Sequence, residues 1–194
     1  SRLSHPNSIQ IIDFGMEDKV LYMAMEFLDG EDLFQLFKEA HPLGEERIAH
    51  IMVQICTALG EAHGQNIIHR DLKPENIMVL NRSGQKDFVK VLDFGIAKIL
   101  DSDQKEEALT QVGMVCGTPE YMSPEQARGE TLDARSDIYA LGVLLYQLCT
   151  GDLPFDSDTA VGLATKHILE EPVKPSQRAP GLKISPEMEA IIIC

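Results

Sequence analysis

The run IIHRDLKPENIMV at residues 67–79 constrains the fold more than any other stretch of this chain. Its centre, HRDLKPEN, is dense in charge, yet apolar residues that belong in a core bracket it on both sides. A polar loop is therefore held at its two ends by buried structure. Downstream, the spacer NRSGQKD has turn composition and separates IMVL (77–80) from FVKVL (88–92), which together read as a small hairpin. Asp93 follows directly on the second of these runs. Such a hairpin can bring Asp93 towards a loop that already carries Asp71 and, five positions on, Asn76. Asp71 can accept a proton from an incoming hydroxyl. Asn76 and Asp93 offer oxygen atoms to a divalent cation, and magnesium, which keeps several waters, needs few protein ligands beside the phosphates of a nucleotide. Lys73, two residues after Asp71, can neutralise charge on a transferring phosphoryl group. Singly, each has an ordinary use: Asp71 as a turn former, Lys73 as a solvated cation, Asn76 as a cap. Few needs besides this chemistry call for all eight residues together.

The tripeptide DFG occurs twice, at 13–15 and at 93–95. The first copy runs into GMED, where Asp and Gly are ordinary turn residues, so Asp13 is expected to be structural. The second stands 22 residues after Asp71, in the company just described. It is the copy expected to hold metal.

Composition narrows the partners. Asp and Glu number 31 against 17 Lys and Arg, a formal net charge of -14, so a nucleic-acid backbone would be repelled by most of the surface. A nucleotide is not excluded, because a small anion is captured by local amides, cations and metal. The four cysteines form no CxxC pair and read as reduced thiols of a cytoplasmic protein. The most apolar stretch, residues 138–149, is too short to span a bilayer, so no membrane segment is expected within this chain.

The order of elements reads as α+β. Residues 9–14 and 19–27 suggest a hairpin turning at GMED, and apolar positions at three and four residue intervals from Ile48 to Ala62 predict a helix over about 45–63, stopped by Gly64. Residues 96–134 read as a long functional loop. The segment 137–149, apolar on nearly every face, predicts a buried central helix. Two further helices are expected near 158–170 and from Pro186, separated by a linker of composition EPVKPSQRAPG.

On HRDLKPEN and DFG, the sequence resembles the protein kinase family, specifically its bacterial Ser/Thr branch. LSHPNSI (3–9) is similar to the entry to the fourth small-lobe strand and MEFLDG (25–30) to the hinge between lobes. GTPEYMSPEQARG (117–129) resembles the substrate-docking segment, with Ser123 where many relatives have Ala, and 136–155 resembles the central helix and its exit. Lys73 sets this group apart from tyrosine kinases. The resemblance implies a kinase-like fold, with a partial small lobe at 1–28 and a mostly helical large lobe at 29–194. It implies ATP and Mg²⁺ as cofactors and proteins as substrates. Asp71 would orient or deprotonate the acceptor hydroxyl, Lys73 would steady the γ-phosphate, and Asn76 and Asp93 would bind magnesium. Met25 would be the gatekeeper, the backbones of Glu26 and Leu28 would meet the adenine edge, Met78 would pack below the ring, and Asp32 would lie at the ribose. For both methionines plain core filling is the alternative. Thr118 would touch Asp71 and Lys73 and favour Ser or Thr acceptors. Asp137 would be tied to the catalytic-loop backbone. Arg70 would grip a phosphorylated activation-loop residue, with Thr110 a plausible site.

Three parts of the family pattern are missing. No G-x-G-x-x-G loop precedes the hinge and no VAIK-like lysine is present, and the Arg expected to pair with Glu125 would fall after Cys194. The expectation is thus a piece of a kinase domain, poorly active by itself and prone to associate through exposed strand edges. A catalytically deficient binding module is the alternative reading. A kinase of antibiotics or choline is disfavoured by GTPEYMSPE and Lys73.

Overall fold

A computed structural model describes residues 3–18, 20–82, 84–92, 94 and 118–193. Strands β1 (Ile11–Glu17) and β2 (Val20–Met25) form an antiparallel pair in which Glu17 lies opposite Val20. The hairpin therefore closes after Glu17, at Asp18 (φ 49°), rather than over residues 15–18 as the composition suggested. A left-handed residue opening a two-residue connection matches the twist of the strands, and Asp tolerates that conformation. Gly15 and Met16 thus belong to the strand. The pair is thinly covered, with Ile12, Phe14, Met16, Val20 and Tyr22 all exposed.

The second sheet carries the core. β3 (Gly30–Asp32) pairs with β4 (Ile77–Arg82), which pairs with β5 (Gln85–Val91), all antiparallel. Ile77, Val79, Val89 and Val91 are buried on one face. Here too the strands run further into the spacer than composition indicated. Gly30 is required by close approach: a Cβ there would stand 2.5 Å from the carbonyl oxygen of Val79 and 2.5 Å from Leu80 Cδ2. The carbonyl belongs to the ladder and cannot step aside. Gly30→Ala is therefore expected to lower stability by about 1–3 kcal/mol, read as a lower thermal midpoint.

Helix α1 (Leu33–Ala40) starts at Asp32, whose side chain accepts from the Gln35 amide. Helix α2 (Glu45–Gly64) presents Ile48, Ile51, Met52, Ile55, Ala58, Leu59 and Ala62 to the core, while Glu45 and Glu46 in its first turn suit the positive end of the helix dipole. Gly64 lies within the last turn, and the left-handed residue beyond it is Asn66 (φ 57°). The side chain can adopt this conformation without glycine.

Of the long segment 96–134, the described part carries a 3₁₀ turn at Pro119–Tyr121 and the one-turn helix α3 (Pro124–Ala127). Helix α4 (Ala134–Thr150) begins three residues earlier than its apolar run, because Asp133 caps it by accepting from the Arg135 amide, and ends at Gly151 (φ 88°). It is buried nearly all round, with Leu144, Tyr146 and Leu148 at 1% exposure or less. Helices α5 (Ala160–Leu169) and α7 (Pro186–Ile193) follow. The expected linker between them contains a short helix of its own, α6 (Pro175–Arg178), started by Pro175. No helix among the described residues is long and apolar enough to cross a membrane.

Candidate active site

The segment before Asp71 is fixed by one buried carboxylate from α4. Asp137, 1% exposed, accepts from the His69 amide (2.9 Å) and from His63 Nε2 (2.7 Å) at Oδ2, and from the Arg70 amide (3.0 Å) at Oδ1. Asp137 is thus tied to the backbone ahead of Asp71, not left as a simple helix-end charge. Arg70 itself is left-handed, at φ 71°, a conformation in which the side chain crowds its own backbone. The His69 ring is buried, with Nε2 2.8 Å from the Leu92 carbonyl and Phe94 meeting its edge at 5.1 Å. The end of β5 is thereby fastened under the loop.

Beyond Asp71, Pro74 opens a 3₁₀ turn, Pro74–Asn76, that ends where β4 begins. Asn76 donates through Nδ2 to the Asp71 carbonyl (2.8 Å) and to Asp71 Oδ2 (3.3 Å). Both partners are acceptors, so the amide NH₂ must face them, and Oδ1 is left as the atom able to meet a cation. Lys73 Nζ lies 2.9 Å from Asp71 Oδ2 and 2.8 Å from Thr118 Oγ1. Thr118 in turn donates to Asp71 Oδ1 from its amide and its hydroxyl, each at 3.1 Å. Four of the residues singled out in the sequence, Asp71, Lys73, Asn76 and Thr118, therefore form one hydrogen-bonded group. Its carboxylate is oriented by donors on both oxygens but remains 39% exposed, so it can still meet a ligand.

A second group lies along the same strand. Met78, two residues after Asn76 and half-buried, stands opposite Asp32 on β3 and Lys90 on β5. Lys90 is 5% exposed and donates to Glu26 Oε1 at 2.6 Å and to the Ser8 carbonyl at 3.0 Å. Burial pushes the Glu26 carboxyl up, but the bonds from Lys90 and the Gln10 amide outweigh it and leave its pKa below the usual value. The Glu26 amide is bonded to the Gln10 carbonyl at 3.0 Å. Met25 and Leu28 flank Glu26 in the chain, Met25 being 43% exposed and Leu28 half-buried. Neither Met25 nor Met78 is therefore fully buried core filling. Asp32, besides its place beside Met78, caps α1. Asp13 contributes nothing to this region. Its carboxylate accepts from the Phe14 amide and the Tyr22 hydroxyl within the first hairpin.

Asp93 and Thr110 lie outside the described residues. Among the described residues, no cluster of three or more His, Cys, Asp or Glu is gathered as a metal site. Asn76 nonetheless keeps Oδ1 as a hard oxygen donor, the kind magnesium takes. Glu125 accepts from the Ser136 hydroxyl, and its pKa is low because that bond and its neighbours outweigh burial, which alone would raise it.

Three participants were not foreseen as such: His63, Lys90 and Gln126, which reaches the Arg70 carbonyl at 2.7 Å. Lys90 had a signal. A lysine in the middle of FVKVL is a charge inside an apolar strand, and such a charge is buried only with a partner. His63 and Gln126 had none, since their partners are set by tertiary packing.

Comparison with known proteins agrees with these motifs. A family model described as protein kinase domain matches residues 1–192. The chain is 61% identical over 194 residues to the serine/threonine-protein kinase pkn3 of Myxococcus xanthus, covering 100% of the chain and 36% of that protein. It is 45% identical over 180 residues to a probable serine/threonine-protein kinase of Corynebacterium efficiens, covering 91% and 26%. With the serine/threonine-protein kinase PknB of Mycobacterium tuberculosis it shares 40% identity over 196 residues, covering 98% and 30%. The chain thus spans between 26% and 36% of the length of these relatives.

Proposed function

Because the chain belongs to the protein kinase family, we propose that it transfers the γ-phosphoryl group of ATP to Ser and Thr hydroxyls of proteins, in the cytoplasm. The observation that carries this reading is the group built on Asp71, whose two carboxylate oxygens are held by Thr118 on one side and by Lys73 and Asn76 on the other. An acceptor hydroxyl approaching Asp71 gives it a proton as the oxygen attacks phosphorus and the bond to the leaving ADP oxygen breaks. Thr118 keeps Asp71 Oδ1 oriented and, with its own hydroxyl at the site, presents the acceptor side. Lys73 is close enough to both to balance the charge that builds on the moving phosphoryl group. Asn76 through Oδ1, with Asp93, would hold Mg²⁺. The ion when bound neutralises phosphate charge and aligns the terminal phosphate.

In this reading the adenine lies against residues 25–28. With the Glu26 amide already bonded to Gln10, Glu26 meets the adenine through its carbonyl, as an acceptor, and Leu28 through its backbone. Met25 stands as gatekeeper, Met78 packs below the ring, and Asp32 beside it reaches the ribose. The division at 28/29 into small and large lobes belongs to the same proposal, as does an activation switch in which Arg70 holds phosphorylated Thr110.

The experiment is transfer of labelled phosphate from ATP to a protein acceptor by the whole protein, with Mg²⁺ present and withheld. Phosphoserine and phosphothreonine in the acceptor are expected, and phosphotyrosine is not. A protein that binds ATP yet transfers nothing is instead the binding module. The 194 residues hold neither a G-x-G-x-x-G segment nor a VAIK-like lysine, and loss of one charged stabiliser costs on the order of 10²–10³ in rate. The isolated chain is accordingly expected to transfer weakly or not at all.

A further inference from the structure

We propose that Gln126 is a positioning residue for Asp71, an inference that rests on the transfer reading above. Its side chain is used at both ends. Gln126 Oε1 accepts from the Ser123 amide at 3.1 Å, closing a capping box in which Ser123 Oγ accepts from the Gln126 amide at 3.3 Å. Nε2 then donates to the Arg70 carbonyl at 2.7 Å, across 56 residues of sequence.

That carbonyl is half of the peptide unit that leads into Asp71. The unit follows a residue at φ 71°, a backbone state that Arg does not favour by itself. The Arg70 amide is held from below by Asp137, and the Arg70 carbonyl is held from the side by Gln126. With its N–H and its C=O both fixed, Arg70 keeps the left-handed turn. The Asp71 side chain then emerges towards Thr118 and Lys73.

The same contact joins the two sides of the site. Gln126 belongs to the segment that begins at Thr118, the residue bonded to Asp71 Oδ1. Gln126 and Thr118, with Arg70, Asp71, Leu72, Tyr121 and Met122, border one small cavity. Ser123 beneath it is fully buried, which leaves α3 little freedom to slide. A shift of the acceptor-side segment is thereby transmitted to the carboxylate, and the reverse.

The two functions of the amide can be separated. Gln126→Glu keeps an oxygen for the Ser123 amide but replaces the donor by an anion facing a carbonyl. Gln126→Leu removes both bonds. In the whole protein, Gln126→Glu is expected to lower kcat by about 10–100-fold, the scale of a small misplacement of a reacting group, with KM for ATP and for the acceptor changed less than about threefold. Lowering the pH should restore the ratio of variant to wild-type kcat, because the protonated carboxyl again donates to the Arg70 carbonyl. A structural role alone gives no such recovery. Unchanged kcat, or a loss that pH does not reverse, would overturn the proposal. A second readout is independent of catalysis: amide hydrogen exchange at Thr118 should speed up at least tenfold in Gln126→Leu, while amides inside α4 keep their wild-type rates. Thr118 exchange at the wild-type rate would overturn the proposal even in a protein found to transfer no phosphate. Absence of transfer by the wild type, with Thr118 exchange altered, would sink the kinase reading and leave the positioning contact standing.

Discussion

Asp71→Asn is expected to reduce phosphoryl transfer by about 10²–10⁴-fold, the range general-base chemistry contributes, while the protein stays folded. The substitution keeps the shape of the side chain. An amide oxygen can still accept from the Thr118 amide and hydroxyl in the place of Oδ1. The NH₂ then faces Lys73 and Asn76, both donors, where Oδ2 stood. That side loses its charge attraction, but the Lys73 and Asp71 side chains are 24% and 39% exposed, so water screens the pair and little stability goes with it. The proton acceptor, by contrast, is gone. Single-turnover transfer measured beside a thermal melt separates the two effects. A variant with wild-type kcat would remove Asp71 from the chemistry and with it the reading of the whole group. A variant that fails only by unfolding would show in the melt.

How far the sequence reached can be judged from where it failed. Helix α2, read from three and four residue spacing, and α4, read from a run apolar on nearly every face, were legible because their cores are continuous along one chain segment. Their ends were less so. Gly64 looked like the stop, but Asn66 takes the left-handed turn, since the backbone needed one such residue and did not specify which. The first hairpin turned two residues late, because Gly15 reads locally as a turn former while the pairing of Glu17 with Val20 decides. At the site, the residues within HRDLKPEN were legible as a set, since they are neighbours in sequence and their chemistry is shared. Their convergence with Thr118, 47 residues away, rested on a resemblance and not on spacing. Gln126 shows the limit. It fits the consensus of a capping box beside Ser123, a wholly local role, and nothing local indicates that its amide nitrogen also donates to the Arg70 carbonyl.

Asp137→Ala is expected to produce the largest loss of stability of any change at this site, about 3–5 kcal/mol, the range found when one partner of a buried charged network is removed. Three donors converge on this carboxylate, from His63, His69 and Arg70, and it is 1% exposed, so no solvent is at hand to replace it. Each amide left bare in the interior costs about 1–3 kcal/mol, and these costs overlap rather than add. Asp137→Asn separates charge from shape. Its one oxygen can stand where Oδ2 serves both His63 and His69, but the NH₂ then confronts the Arg70 amide, donor against donor. An intermediate loss is therefore expected for Asn, smaller than for Ala, read as the order of urea midpoints. If the Ala variant does not fold, the Asn variant still gives the answer. Amide exchange at Arg70 should rise in Asp137→Asn ahead of the rest of the loop, because the left-handed turn at φ 71° loses the bond that holds its N–H. Stabilities of both variants within about 1 kcal/mol of wild type would mean that the strain at Arg70 is borne elsewhere, and the loop would then owe its shape to the strand side, through His69, Leu92 and Phe94, rather than to α4.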